Sequence, residues 1–169
     1  MKIGLTFDEV LEGTYFLLSD PLHPRPMLLE ACVNVANVTD LVTESNAHLS
    51  GFFYAEGLAP RQMVSGQVGT RAVRDRKVPY DFTFKSESGD TLRFLGEKDL
   101  HVSLGLGALF HLPASVYTVD GTELARSDLH FDPRTRLERL LTSTRLHVDT
   151  RLPFVGRSPG ADPAARPSR

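Results

Sequence analysis

The chain has 169 residues, 41% of them hydrophobic and 24% charged, which is the size and composition of one ordinary folded domain and excludes a disordered or collagen-like chain. Nineteen Lys and Arg against 21 Asp and Glu leave a formal charge of −2, so no excess of positive charge marks a nucleic-acid or polyphosphate partner. The single cysteine, Cys32, allows neither an intramolecular disulfide nor a cysteine-based zinc pair, and burial alone has to hold the fold.

The N-terminus, Met1-Lys2-Ile3-Gly4-Leu5-Thr6-Phe7-Asp8-Glu9, reaches acids before any apolar run of signal-peptide length. Nothing later approaches the roughly 18 uninterrupted apolar residues of a membrane helix, and the expectation is a soluble, cytoplasmic protein. Residues 13–18 form the first strand candidate. Residues 19–26 predict a loop, because Pro21, Pro24 and Pro26 remove backbone donors and fix φ. Residues 27–35, 47–54 and 62–73 are further strands. Between the first two of these, Asn37 as N-cap and Asp40 in the first turn predict a short helix carrying Leu41 and Val42.

The clearest strand is 78–85, where Val78, Tyr80, Phe82 and Phe84 share one face and Asp81, Thr83 and Lys85 the other. Residues 86–90, with Gly89-Asp90, supply a turn, and 91–98 return as the second arm of a hairpin. A second hairpin joins 114–119 to 122–131 through Asp120-Gly121, where glycine accepts the positive φ of a tight turn. Gly51, Gly66, Gly69 and Gly96 fall inside strands and permit the bulges and bends that a closed sheet needs. Asp132-Pro133 then opens an amphipathic helix with Leu137, Leu140 and Leu141 on its inner face. Residues 156–169 contain three prolines, two glycines and no large apolar residue, and are expected to be a flexible tail. The predicted architecture is therefore all-β: a single antiparallel β-barrel or strongly curved sandwich of about eight strands with one or two short helices, over residues 1–155.

Candidate sites are few. His23, His48, His101, His111, His130 and His147 include no pair two or four apart, so no local unit presents two imidazoles to a metal, and no metal site is assigned. Gly105-Leu106-Gly107-Ala108-Leu109-Phe110 begins like a dinucleotide fingerprint, but Phe110 replaces the third glycine and no βαβ unit surrounds it; no cofactor is expected. Cys32 has neither cationic neighbours nor a helix start beside it, and is expected to be a small filler. Arg71, Arg74, Arg76 and Lys77, interrupted by Asp75, predict an exposed hairpin end. Glu97 and Asp99 alternate with Lys98, so a regular strand turns the acids one way and the lysine the other. Two carboxylates about 7 Å apart suit acid/base work at a barrel mouth, or simply a solvated strand end with ion pairs. Residues 102–113 are the most apolar stretch, either a buried strand or a flap over a cavity. In the flap reading Leu104, Leu106, Leu109 and Phe110, with Tyr117, bind the ligand, and no catalytic residue is assigned.

The order of pieces has a family likeness. Phe7-Asp8-Glu9-Val10-Leu11-Glu12-Gly13-Thr14, Leu49-Ser50-Gly51, Val78-Pro79-Tyr80-Asp81-Phe82-Thr83-Phe84 with its Gly-Asp turn, Leu95-Gly96-Glu97-Lys98-Asp99, and Arg136-Leu137 through Leu146 resemble a bacterial accessory domain. That domain accompanies glucose-methanol-choline oxidoreductases of the cholesterol-oxidase-like kind and also occurs alone. The resemblance spans residues 5–147 and rests on turn and strand motifs. It implies a β-rich module associated with sterol or lipid chemistry and transfers neither a flavin site nor catalytic residues.

The leading functional expectation is a binding module for a hydrophobic small molecule, a lipid or sterol, with an oxidoreductase as partner on the strength of the resemblance. Eight-stranded barrels can enclose one such ligand. The alternatives are a cyclase- or isomerase-type enzyme using the same cavity, with Glu97, Asp99 or Tyr117 as acid/base, and a non-catalytic interaction domain with a filled core. An ionisable group deep in the cavity separates binder from enzyme, and a solidly packed interior favours the interaction domain.

Overall fold

Apolar and polar residues alternate along nine strands of the structure, a computed structural model that describes residues 2–37, 46–69, 76–99, 110–131 and 142–149. In chain order they are β1 (Lys2–Leu17), β2 (Asp20–Val35), β3 (Asn46–Ala55), β4 (Ala59–Gly69), β5 (Lys77–Lys85), β6 (Thr91–Asp99), β7 (His111–Thr118), β8 (Glu123–His130) and β9 (Arg145–Asp149). Each of β2 to β7 pairs antiparallel with the next, and β1 pairs with both β8 and β2, so the meander closes into an eight-stranded barrel. The sandwich alternative is thereby excluded. β1 is long enough to serve two neighbours in succession on one side. Its C-terminal part meets β8 from Glu12↔His130 to Leu17↔Ala125, and its N-terminal part meets β9 from Lys2↔Asp149 to Thr6↔Arg145.

Closure needs sharp coiling, and inward-facing glycines sit where neighbouring backbone presses in. A Cβ at Gly51 would run into the Glu30 carbonyl oxygen, and one at Gly13 into that of Asp128. Tight turns at 18–19, 56–58, 86–90 and 119–122 gather at one end of the barrel. The connections from β2 to β3, β4 to β5, β6 to β7 and β8 to β9 all belong to the other.

The interior is built by the inward half of each alternation. Phe53, Phe82, Phe84 and Phe94 form an aromatic cluster, with Phe82 stacked on Phe94 at 4.6 Å between centroids and Phe53 edge-on to Phe82 at 5.3 Å. Such offset and edge contacts add about 0.5–1.5 kcal/mol each to the burial itself. At the tight-turn end the Tyr15 hydroxyl donates to the Glu56 carbonyl at 2.5 Å. The expected faces of the central hairpin hold: Tyr80, Phe82 and Phe84 are buried, while Thr83 and Lys85 are exposed and Asp81 half-exposed.

Several boundaries are corrected. The proline-rich segment is extended strand, not loop. Arg25 and Pro26 pair with Tyr15 and Thr14 of β1, residues 21–24 fall in the register shift before Leu17↔Asp20, and β3 joins β2 in register only from Met27 onward. The prolines thus sit at a bulge and an edge, where no ladder donor is needed from them. The first strand begins at Lys2 instead of residue 13, because Glu9 occupies an inward position and breaks the apolar alternation there. β9 is an additional strand. Both expected helices, residues 38–42 and 132–141, and the tail 156–169 lie outside the described residues.

Candidate functional site

A charged layer interrupts an interior that is otherwise mostly apolar among the described residues, Ser127 being the other buried polar side chain. In an eight-stranded barrel β1 and β5 lie four strands apart in either direction, so inward side chains from the two face each other across the lumen. Glu9 projects from β1, Tyr80 from β5 and Lys98 from β6, and they meet. The Lys98 Nζ donates to Glu9 Oε1, and the Tyr80 hydroxyl donates to Glu9 Oε2 at 2.7 Å. The Lys98 ammonium also lies 5.3 Å from the Tyr80 ring centroid, within cation–π range. The side chains of Glu9 and Lys98 are each 8% exposed.

Strand phase explains how the three arrive there. On β6, Leu92, Phe94, Gly96 and Lys98 share the inward face, and Gly96 pairs with Tyr80, which sets Lys98 one step beyond it. On β1, Leu11 and Glu9 follow one another inward. Tight-turn-ward of the layer lie the aromatic cluster and Leu11. On the other side, towards the longer connections, are Leu5 and Phe7 of β1, Val78 of β5 and Phe110, all half-buried and packed against the core. Phe110 stacks on Phe131 at 5.9 Å, and the Phe131 N–H donates to the Phe110 carbonyl at 2.7 Å, carrying the β7–β8 pairing to that end.

Burial, followed by the charge of Glu9 and the hydrogen bond to it, pushes the Tyr80 hydroxyl well above the ordinary tyrosine value. It is therefore a neutral donor at physiological pH. Both Glu9 oxygens accept a hydrogen bond, one from Lys98 and the other from Tyr80. Lys98 has three N–H groups, and Glu9 is its one hydrogen-bond partner among the described residues. Chemically the layer is an oriented cation with donor capacity to spare, electrically balanced by the acid beside it.

The alternation expected at 97–99 is present, and its lysine is what reaches the interior. Glu97 faces outward and pairs with Lys77 at 2.6 Å, half-exposed on both sides, and Asp99 faces the same way. Tyr117 also lies on the outer surface, opposite Arg93, so it does not join the interior layer. Leu104, Leu106 and Leu109 lie outside the described residues; of residues 102–113, Phe110 is placed at the rim and His111 to Pro113 open β7, with Leu112 buried in the core. Arg71 and Arg74 lie outside them too, while Arg76 is exposed with a φ of 52° and Lys77 is held by Glu97. Cys32 faces outward and half-buried, and burial, with Asp8 beside it, pushes its thiol up, so it stays protonated. His111 and His130 are cross-strand partners on the outer face, and His111 sits 3.3 Å from Asp128. Among the described residues no group of three or more His, Cys, Asp or Glu could hold a metal, and no helix is long and apolar enough to cross a membrane.

Sequence reasoning missed Glu9 and took Tyr80 as plain core. The available signal was an acid at the inward phase of an otherwise apolar alternation, Leu5, Phe7, Glu9, Leu11. Fold and site together define a closed, eight-stranded antiparallel meander barrel with a charged layer bridging its lumen. No protein-family profile, curated protein or solved structure matches this chain.

Proposed function

We propose that the protein is a binding module for a hydrophobic small molecule, taken up at the end of the barrel that carries the longer connections and seated against the Glu9–Lys98–Tyr80 layer. The observation that carries this reading is a buried ion pair in a mostly apolar lumen, beside a set of half-buried apolar side chains. Desolvating two charges costs several kcal/mol per ion, and well-packed apolar residues often serve stability as well or better. The aromatic cluster demonstrates that this same barrel packs itself with phenylalanine where only stability is at issue. The charges are thus better accounted for by something they recognise than by folding. The resemblance described above adds that the ligand belongs to lipid or sterol chemistry and that the module serves an oxidoreductase. The acid/base enzyme reading loses its candidates, since Glu97, Asp99 and Tyr117 all face outward.

The test is titration with a fluorescent fatty acid or sterol. Micromolar affinity corresponds to about 8 kcal/mol, within reach of a drug-sized apolar ligand at roughly 0.3 kcal/mol per heavy atom. Phe110→Asp, which puts a charge at the apolar rim, should weaken uptake at least about ten-fold, whereas Met63→Asp on the exposed outer face should not. If no apolar probe binds, this reading fails and the interaction-domain alternative takes its place.

A further inference from the structure

Resting on the binding reading above, the charge balance of the layer narrows the ligand further. We infer that the molecule held there is uncharged and presents a single acceptor oxygen, a ketone, ester or hydroxyl, to the Lys98 ammonium, with its apolar body among Leu5, Phe7, Val78 and Phe110. Three observations lead to this.

The first is the donor inventory. Lys98 donates to Glu9 and to no other group among the described residues, although an ammonium carries three N–H groups and this side chain is more than nine-tenths buried. Buried donors are ordinarily matched, so the complementary group is an acceptor. The second is net charge. Glu9 and Lys98 cancel, and Tyr80 is held neutral, so the layer as a whole carries none. A ligand carboxylate or phosphate would leave one uncompensated negative charge in an apolar interior, which the surroundings penalise heavily. A neutral oxygen gains a charge-assisted hydrogen bond without that penalty. The third is the division of labour among the three side chains. Glu9 is fixed from both oxygens, by Tyr80 on one and Lys98 on the other, and so acts as the anchor that aims the ammonium. Glu9 and Tyr80 are positioning residues, and Lys98 is the group that touches the ligand.

Three naphthalene probes of matched length separate the possibilities: a 2-acylnaphthalene, the 2-alkylnaphthalene that lacks the carbonyl, and a naphthyl-alkyl carboxylate. Their affinities for the full chain are measured by fluorescence, and the carbonyl stretch of the bound ketone by infrared difference spectroscopy. The ketone should bind about ten-fold more tightly than the alkyl compound, the effect of one charge-assisted hydrogen bond, and more tightly than the carboxylate. Its carbonyl band should move to lower frequency than in an alkane solvent. In the double variant Glu9→Gln/Lys98→Met, which removes both charges together and strands neither, the preference for the ketone should fall to within about two-fold while alkyl binding persists. The infrared reading needs no variant and stands if the double variant fails to fold. Equal binding of ketone and alkyl compound overturns the inference and leaves the apolar-ligand reading intact. Tightest binding by the carboxylate overturns the neutral class. No binding by any of the three overturns the ligand reading and this inference with it.

Discussion

Removing the cation alone from the polar layer should be among the most damaging single substitutions in this protein. Lys98→Met preserves side-chain length and apolar bulk but leaves Glu9, with an 8% exposed side chain, facing only the Tyr80 hydroxyl. Deleting one partner of a buried ion pair typically costs about 3–5 kcal/mol, because the remaining charge keeps its desolvation penalty and loses its compensation. For a domain of this size each kcal/mol moves Tm by about 2–4 °C, so the variant should melt roughly 6–20 °C lower. Glu9→Gln/Lys98→Met should be far milder, within about 1 kcal/mol of the parent, since glutamine still accepts from Tyr80 and no charge is left behind. Glu9→Gln alone strands the Lys98 ammonium in the same way, so the double variant should be several kcal/mol less destabilised than the sum of the two singles. The chain has no tryptophan, so urea unfolding is followed by far-UV circular dichroism at neutral pH. A Lys98→Met variant within 1 kcal/mol of the parent would mean that the layer is effectively hydrated. A double variant as unstable as the sum of the singles would mean that the two charges do not act as a pair. Either result refutes the reasoning.

Phe82→Ala, at a ring that is 2% exposed and stacked on Phe94, should cost about 3–5 kcal/mol in the same unfolding assay; a near-neutral result would place the ring outside the core. Gly51→Ala should cost at or above the top of the roughly 1–3 kcal/mol overpacking range, because its methyl meets the backbone of β2. Gly89→Ala, in open space but at a φ of 89°, should cost only about 1 kcal/mol; the reverse order in thermal melts would contradict the close approach at Gly51. Tyr80 has a raised pKa in the folded chain, so its contribution is complete below the ordinary tyrosine value of 10.0 and is lost as pH rises through the folded one. Parent stability should accordingly fall above about pH 10, and Tyr80→Phe should show a shallower alkaline decline, checked by urea titrations across that range. Asp81→Asn, which breaks a bidentate but half-exposed pair with Arg93, should cost no more than about 1 kcal/mol and less still in high salt.

Much of the barrel is local information. The alternation at Val78, Tyr80, Phe82 and Phe84 assigns a buried face because successive strand residues point to opposite sides, whatever the strand later pairs with. The turns at Gly89-Asp90 and Asp120-Gly121 follow from the positive φ that both glycines adopt, 89° and 87°. The same alternation correctly turned Lys98 away from Glu97 and Asp99. Where local rules failed, a neighbour supplied the reason. Prolines 21 and 24 suit a strand because they fall in a register shift, and Pro26 because β3 joins in register only from Met27 onward, so none of them is asked for a ladder donor. Residues 2–12 suit one although an acid interrupts the pattern.

The sequence by itself determined the central strands, the face each of these shows and the hairpin turns at 86–90 and 120–121, since these depend on backbone stereochemistry and period within a few residues. Closure of the sheet and assembly of the polar layer were decided only by the tertiary structure. Glu9 is 89 residues from Lys98 and 71 from Tyr80, and periodicity carries no record of which inward side chains will face one another. That opposition arises when β1 pairs on both sides, because only a closed ring of eight strands brings β1 opposite β5 and lets an acid at one end of the chain neutralise a lysine far along it.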